Sequence, residues 1–205
     1  MAYSVGLRHG ITPMKARETL RLVLALLLLL WSGAVTAHTL TKDERALIEA
    51  TQRNDVETAR RLIAAGTSVN AQDEKRDSAF LLAGAEGRLE ILKLTLQAGA
   101  DLKSTNRYGG TALIPACHHG HVETVRELLT TAIDVNHVNR LGWTALLEVV
   151  ILGDGGASYI EITRLLLAHG ADVNLPDNQG VTPLGHARQR GQREIASILE
   201  AAGAR

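Results

Sequence analysis

One spacing governs this 205-residue chain: residues of the same kind return every 33 positions. A step of 33 from Thr111 reaches Ser78 in one direction and Thr144 in the other, and the same step joins Glu57, Glu90 and Glu123. A period of this length marks stacked supersecondary units, none of which can bury its own apolar face without neighbours.

The unit 106–136 reads NRYGGTALIPACHHGHVETVRELLTTAIDVN. Its first five residues, Asn106 to Gly110, form a polar turn in which Gly109 and Gly110 can take a positive φ without steric cost. Thr111 is placed to cap a helix whose packing face is Ala112, Leu113, Ala116 and Cys117. Gly120 ends that helix. A second one opens at His121 and carries Val122, Val125, Leu128 and Leu129 as one stripe, before a return loop closes on Asp134-Val135-Asn136. The pattern predicts an all-α chain of turn, helix, helix and loop, repeated.

This order of residues resembles the ankyrin repeat. Thr182-Pro183-Leu184 with Ala187 matches that family's signature, and Gly170-Ala171-Asp172-Val173-Asn174 reproduces its tail. The resemblance implies an ankyrin repeat solenoid of about five helix-turn-helix repeats with projecting β-turn loops. It also implies a non-enzymatic protein-binding module with no cofactor. Repeats are expected at about 41–71, 72–104, 105–137, 138–175 and 176–205, within a domain 38–205.

Residues 1–37 stand apart from the array. Arg17 and Arg21 precede an unbroken apolar run from Leu22 to Trp31, and small residues follow to Ala37. That is the layout of a secretory signal peptide cleaved after Ala37, and the run is short for a retained membrane anchor. Met14 gives a more ordinary basic region than Met1 and is the expected start. With that leader the chain resembles small exported bacterial ankyrin repeat proteins, and the resemblance implies a periplasmic mature protein, a monomer free of the membrane. Removing the leader takes away Arg8, Lys15, Arg17, Arg21 and Glu18, which leaves 18 basic and 21 acidic residues and no electrostatic footprint for nucleic acid.

Variations between repeats carry the remaining information. The first repeat lacks the entry turn and signature, and Arg45, Glu49, Arg53, Glu57, Arg60 and Arg61 give it a charged exterior suited to a terminal cap. Arg76 stands where the other turns have Gly109, Gly142 and Gly180, so it must accept a positive φ or reshape its turn. From Thr144 to Thr182 is 38 positions, and the excess falls at 153–159 as a glycine-bearing loop between helices. The loop reads as a mobile insertion or a binding element. In the last repeat, Gln189, Arg190, Gln192, Arg193 and Glu200 are expected in solvent.

Chemistry is sparse. Cys117, His118, His119 and His121 hold metal-ligating atoms, but Gly120 breaks the helix between them and Cys117 points to the core, so no metal site is expected. No acid/base pair converges by spacing, no serine elbow is present, and no catalytic residue is assigned. The resemblance turns attention instead to the concave face built from turn tips and first helices. Its expected binding residues are Arg76, Arg107, Tyr108, His118, His119, Arg140 and Trp143, with Tyr108 and Trp143 foremost because aromatic residues dominate interface energetics. The partner is expected to be one or more periplasmic proteins. Support of a periplasmic enzyme, neutralisation of a toxin and an envelope scaffold remain open alternatives at this point.

Overall fold

Ten helices make up the computed structural model among its described residues, 39–205. The expected leader and its start at Met14 lie outside those residues. The helices are α1 Lys42–Gln52, α2 Val56–Ala64, α3 Ala79–Ala85, α4 Leu89–Gln97, α5 Leu113–His118, α6 Val122–Leu129, α7 Ala145–Leu152, α8 Ala157–Ala168, α9 Pro183–Gln189 and α10 Arg193–Ala201. Each odd-numbered helix pairs with the even-numbered one after it. The odd helices also stack on each other in one row and the even helices in a second. The architecture is therefore an all-α solenoid of five helix pairs.

Periodic apolar residues explain why neighbouring units adhere. Leu47, Phe80, Leu113, Leu146 and Leu184 occupy one position of the five inner helices, and none is more than 2% exposed. On the outer helices Leu62, Thr95, Leu128, Leu166 and Leu199 form a second buried ladder. The hydroxyl of Thr95 is satisfied there by donating to Leu92 O at 2.7 Å. Full burial of each large side chain stabilises by about 2 kcal/mol gross.

Turn chemistry fixes the tips. At the head of each of four tips stands Asp73, Asn106, Asn139 or Asp177, and its Oδ1 accepts from the backbone N–H groups two and four residues on. The residue that must then turn left-handed is Arg76, Gly109, Gly142 or Gly180. Arg76 does so with φ +61° and keeps the same hydrogen bonds as its neighbours, so its tip is not reshaped.

Three of the inner helices start from a hydroxyl cap, with Ser78, Thr144 and Thr182 each accepting from the backbone N–H three residues on at 3.2 Å. The first helix has a full capping box between Thr41 and Glu44. Thr111 breaks the expectation. Pro115 has no N–H to give to Thr111 O, so Ile114 N donates to that carbonyl instead, at 3.3 Å. The hydroxyl of Thr111 is left buried and without a partner.

The long repeat also departs from expectation. Part of the excess lengthens α8 to 12 residues, against 8 or 9 in the other outer helices. What remains is held in place: Tyr159 Oη donates to His118 O at 2.9 Å, and Gln192 Nε2 donates to Val150 O and Gly153 O. The segment is anchored and not a free loop. Gln192, expected in solvent, is only 9% exposed because it makes this anchor.

Return loops add a further clamp. Asn70 donates to Gly99 O and accepts from Asp101 N, and Asn136 repeats this with Gly170 and Asp172. Asn174 accepts from Arg205 N. Between the second and third repeats the equivalent residue is Lys103, and a cleft opens there beside Asp134, His137 and the orphaned Thr111 hydroxyl.

Candidate functional site

A cleft of about 510 Å³ runs along the concave face, from Gln52 at the end of the first inner helix to the fourth repeat. Tips supply Asp77, Arg107, Tyr108, Leu141 and Trp143. Inner helices supply Leu82, Glu86, Ile114, Pro115, His118, His119, Glu148 and Leu152. The tips can line it because the Asx turns hold their backbone rigid, which frees the intervening side chains to project.

Five of the seven expected binding residues meet here: Arg107, Tyr108, His118, His119 and Trp143. Arg76 and Arg140 lie elsewhere, bridging adjacent tips. Arg76 Nη2 donates to Thr105 O and Oγ1, while Arg140 gives its backbone N–H to Tyr108 O at 2.9 Å and Nη1 to Arg107 O at 3.0 Å. A guanidinium spent on a neighbouring carbonyl serves the stacking of tips. Leu141 and Leu152 were not legible as groove residues, yet at 48% and 41% exposed they extend the apolar patch begun by Tyr108 at 53%.

Charges in the cleft pair unevenly. Arg107 sits 3.5 Å from Asp77 and lies over the Tyr108 ring at 5.0 Å. Burial raises Asp77, with Asp73 adding to it and Arg107 opposing. His118 stacks on His119 with ring centres 4.5 Å apart, and His119 Nδ1 reaches Ala85 O at 2.8 Å.

The most deeply buried charged member is Glu148, on α7. It is 6% exposed, and its Oε1 accepts from Asn139 Nδ2 at 3.1 Å. Burial pushes its carboxyl up to about 7, with the Asn139 bond opposing. Its Oε2 lies 3.7 Å from His118 Nδ1, which corrects the expectation that no acid/base pair converges. Distance alone would make this an ion pair. Burial and the adjacent His119 lower the His118 imidazole, so near neutral pH the imidazole is uncharged while Glu148 is close to the midpoint of its own titration. Register between repeats could have revealed the pairing, since the two residues are 30 apart on stacked inner helices.

Cys117, next to His118, does not complete a nucleophilic set. It is 0% exposed, and burial, reinforced by Glu148, raises its thiol well above the ordinary value. Among the described residues no three His, Cys, Asp or Glu side chains gather closely enough to hold a metal ion. Among the same residues, no helix is long and apolar enough to cross a membrane.

A family model described as ankyrin repeats in three copies matches residues 80–154 and 134–205. The chain belongs to the ankyrin repeat family. The crystal structure of an ankyrin repeat domain from Acinetobacter baumannii AYE is 52% identical, covers 93% of this chain and 95% of its own, and superposes with a TM-score of 0.79. That of a second ankyrin repeat protein is 38% identical over 89% of this chain and 93% of its own, with a TM-score of 0.75. YahD of Escherichia coli (strain K12), described as an ankyrin repeat protein, is 53% identical over 58 residues, which is 28% of this chain and 29% of YahD. The Acinetobacter and Escherichia proteins are bacterial relatives. As an ankyrin array the chain is a protein–protein interaction module, in a family whose members are generally non-enzymatic.

Proposed function

We propose that this ankyrin protein is exported to the periplasm and there docks a partner protein in the cleft between its tips and inner helices, without catalysing a reaction. The observation that carries the reading is the apolar patch of Tyr108, Leu141, Leu152 and Trp143 on the concave face, on a surface otherwise rich in charged side chains. Exposed apolar patches rimmed by polar groups mark interaction sites. Tyr108 and Trp143 are suited to be the anchors, being rigid, large and partly accessible. The basic and apolar leader at 1–37 supports export.

The test is capture from periplasmic extract with the wild-type protein beside a Tyr108→Ala, Trp143→Ala variant whose helicity is checked by circular dichroism. Retention of one protein by the wild type and its loss with the variant supports the groove. Equal retention by both overturns it. Fractionation of the native cell tests location, and a cytoplasmic protein with an intact leader would overturn export. The captured partner's own activity then separates the roles: an enzyme that loses stability without this protein marks support, and a toxin silenced by it marks immunity.

A further inference from the structure

We propose that the floor of the cleft is a socket for an arginine or lysine side chain of the partner, with Glu148 as its counter-ion and Tyr108 and Trp143 in its walls. The inference depends on the reading of the cleft as a docking surface.

The argument starts from an imbalance. Glu148 is almost wholly removed from water, yet it lines the cleft, and the one hydrogen bond its carboxylate accepts among the described residues comes from a neutral amide at 3.1 Å. The orientation of Asn139 is fixed, because its Oδ1 accepts from Leu141 N at 2.9 Å and Trp143 N at 3.0 Å, so Nδ2 is the atom that faces Glu148. A buried carboxylate is stable only when paired and hydrogen-bonded.

The charged groups around it do not meet that need. From α5, His118 Nδ1 is 3.7 Å away, beyond hydrogen-bond reach, and Cys117 is a buried thiol. On the opposite wall Arg107 is engaged by Asp77, and Glu86 lies 3.8 Å from Arg88. His119 reaches Ala85 O. On α8, Glu161 and Arg164 are tied to Arg126 and Glu194, and on α9 the His186 Nε2 is bonded to Asp177 Oδ2 at 2.7 Å.

An incoming cationic side chain would supply what is missing. Its head would pair with Oε2 in a site of low dielectric, aromatic rings favour a cation nearby, and its aliphatic stem suits Ile114, Leu141 and Leu152. An anionic or purely apolar side chain would leave the carboxylate uncompensated.

Small probes test this without knowledge of the partner. N-acetyl-arginine amide is titrated into the protein at pH 8 and pH 5.5, following the indole N–H of Trp143 and the side-chain amide of Asn139 by NMR. N-acetyl-citrulline amide, its neutral isostere, is the control. The expected result is binding at least tenfold tighter for arginine than for citrulline at pH 8, at least tenfold weaker at pH 5.5, and lost in Glu148→Gln. Equal affinity for the two probes, an unshifted Trp143, or full affinity in Glu148→Gln would overturn the socket. If Glu148→Gln does not fold, the probe comparison and the wild-type pH dependence decide alone. Since partner capture is a separate measurement, a dependence on Tyr108 and Trp143 with no response to the arginine probe would remove the socket and leave the docking surface standing.

Discussion

Asn139 Nδ2 holds Glu148 Oε1 at 3.1 Å, joining the tip of the fourth repeat to its own inner helix. The amide cannot be turned round, because its oxygen is committed to two backbone N–H groups of the tip. The carboxyl titrates at about 7 in the folded chain, against an ordinary 4.5. Between those values the folded state keeps a proton that the unfolded state has lost. Stability from this residue therefore falls as pH rises through the window, and the loss is complete above about pH 7. Glu148→Gln should equal the wild type near pH 4.5 and exceed it at pH 8 by on the order of 2 kcal/mol. Thermal melts at the two pH values check this, and a constant difference between variant and wild type would refute the assignment.

The two sides of the tip glycine position make a paired prediction. Arg76 bears a left-handed φ of +61° that glycine would adopt freely, so Arg76→Gly should stabilise by about 0.5 kcal/mol after the loss of its exposed bonds to Thr105. Gly142 has φ +81°, and a Cβ there would meet the Asn178 side chain within 2.5 Å. Gly142→Ala should destabilise by about 2 kcal/mol. Urea denaturation of both variants measures the opposite signs.

Pro115→Ala restores the N–H that Thr111 O lacks. Ile114 N is then free to bond the Thr111 hydroxyl, as the equivalent groups do at Ser78, Thr144 and Thr182. A recovered cap is worth about 1 kcal/mol, offset in part by the greater freedom of the unfolded chain without proline. A melting temperature raised by a degree or two is expected, and a lower one would show that the proline's rigidity outweighs the cap.

The legible part of this protein was whatever its period repeats. The helix pairs, the tip glycines and the stacked leucines each recur at one spacing, so a single unit predicts them all. What escaped were departures from the period. Pro115 alters a cap four residues before it, and Gln192 reaches back to Val150 and Gly153 to pin the insertion. Tip arginines look alike in sequence, but Arg107 faces the cleft while Arg76 and Arg140 bridge neighbouring tips. Glu148 and His118 meet only because two inner helices stack, which no window within one repeat can show.

Lys103→Asn should supply the clamp absent between the second and third repeats. By analogy with Asn70, the new amide would reach Ala132 O and Asp134 N. Two exposed hydrogen bonds at this joint should add about 1 kcal/mol. Hydrogen exchange of Asp134 N–H offers the most direct check, and an unchanged rate would show that the loop does not close on asparagine.

The native lysine at that joint has a mechanical meaning. In a one-dimensional array each junction adds its own share to the stability of the whole. The second and third repeats remain tied on the tip side through Gln72, Arg76 and Arg107, but not by an asparagine on the loop side. His119 Nδ1 adds a bond to Ala85 O at the far ends of the inner helices, so the joint is held along both edges of the cleft. Since the cleft draws on the repeats on both sides of this joint, a bound partner that touches both would add the bridge that the lysine does not supply.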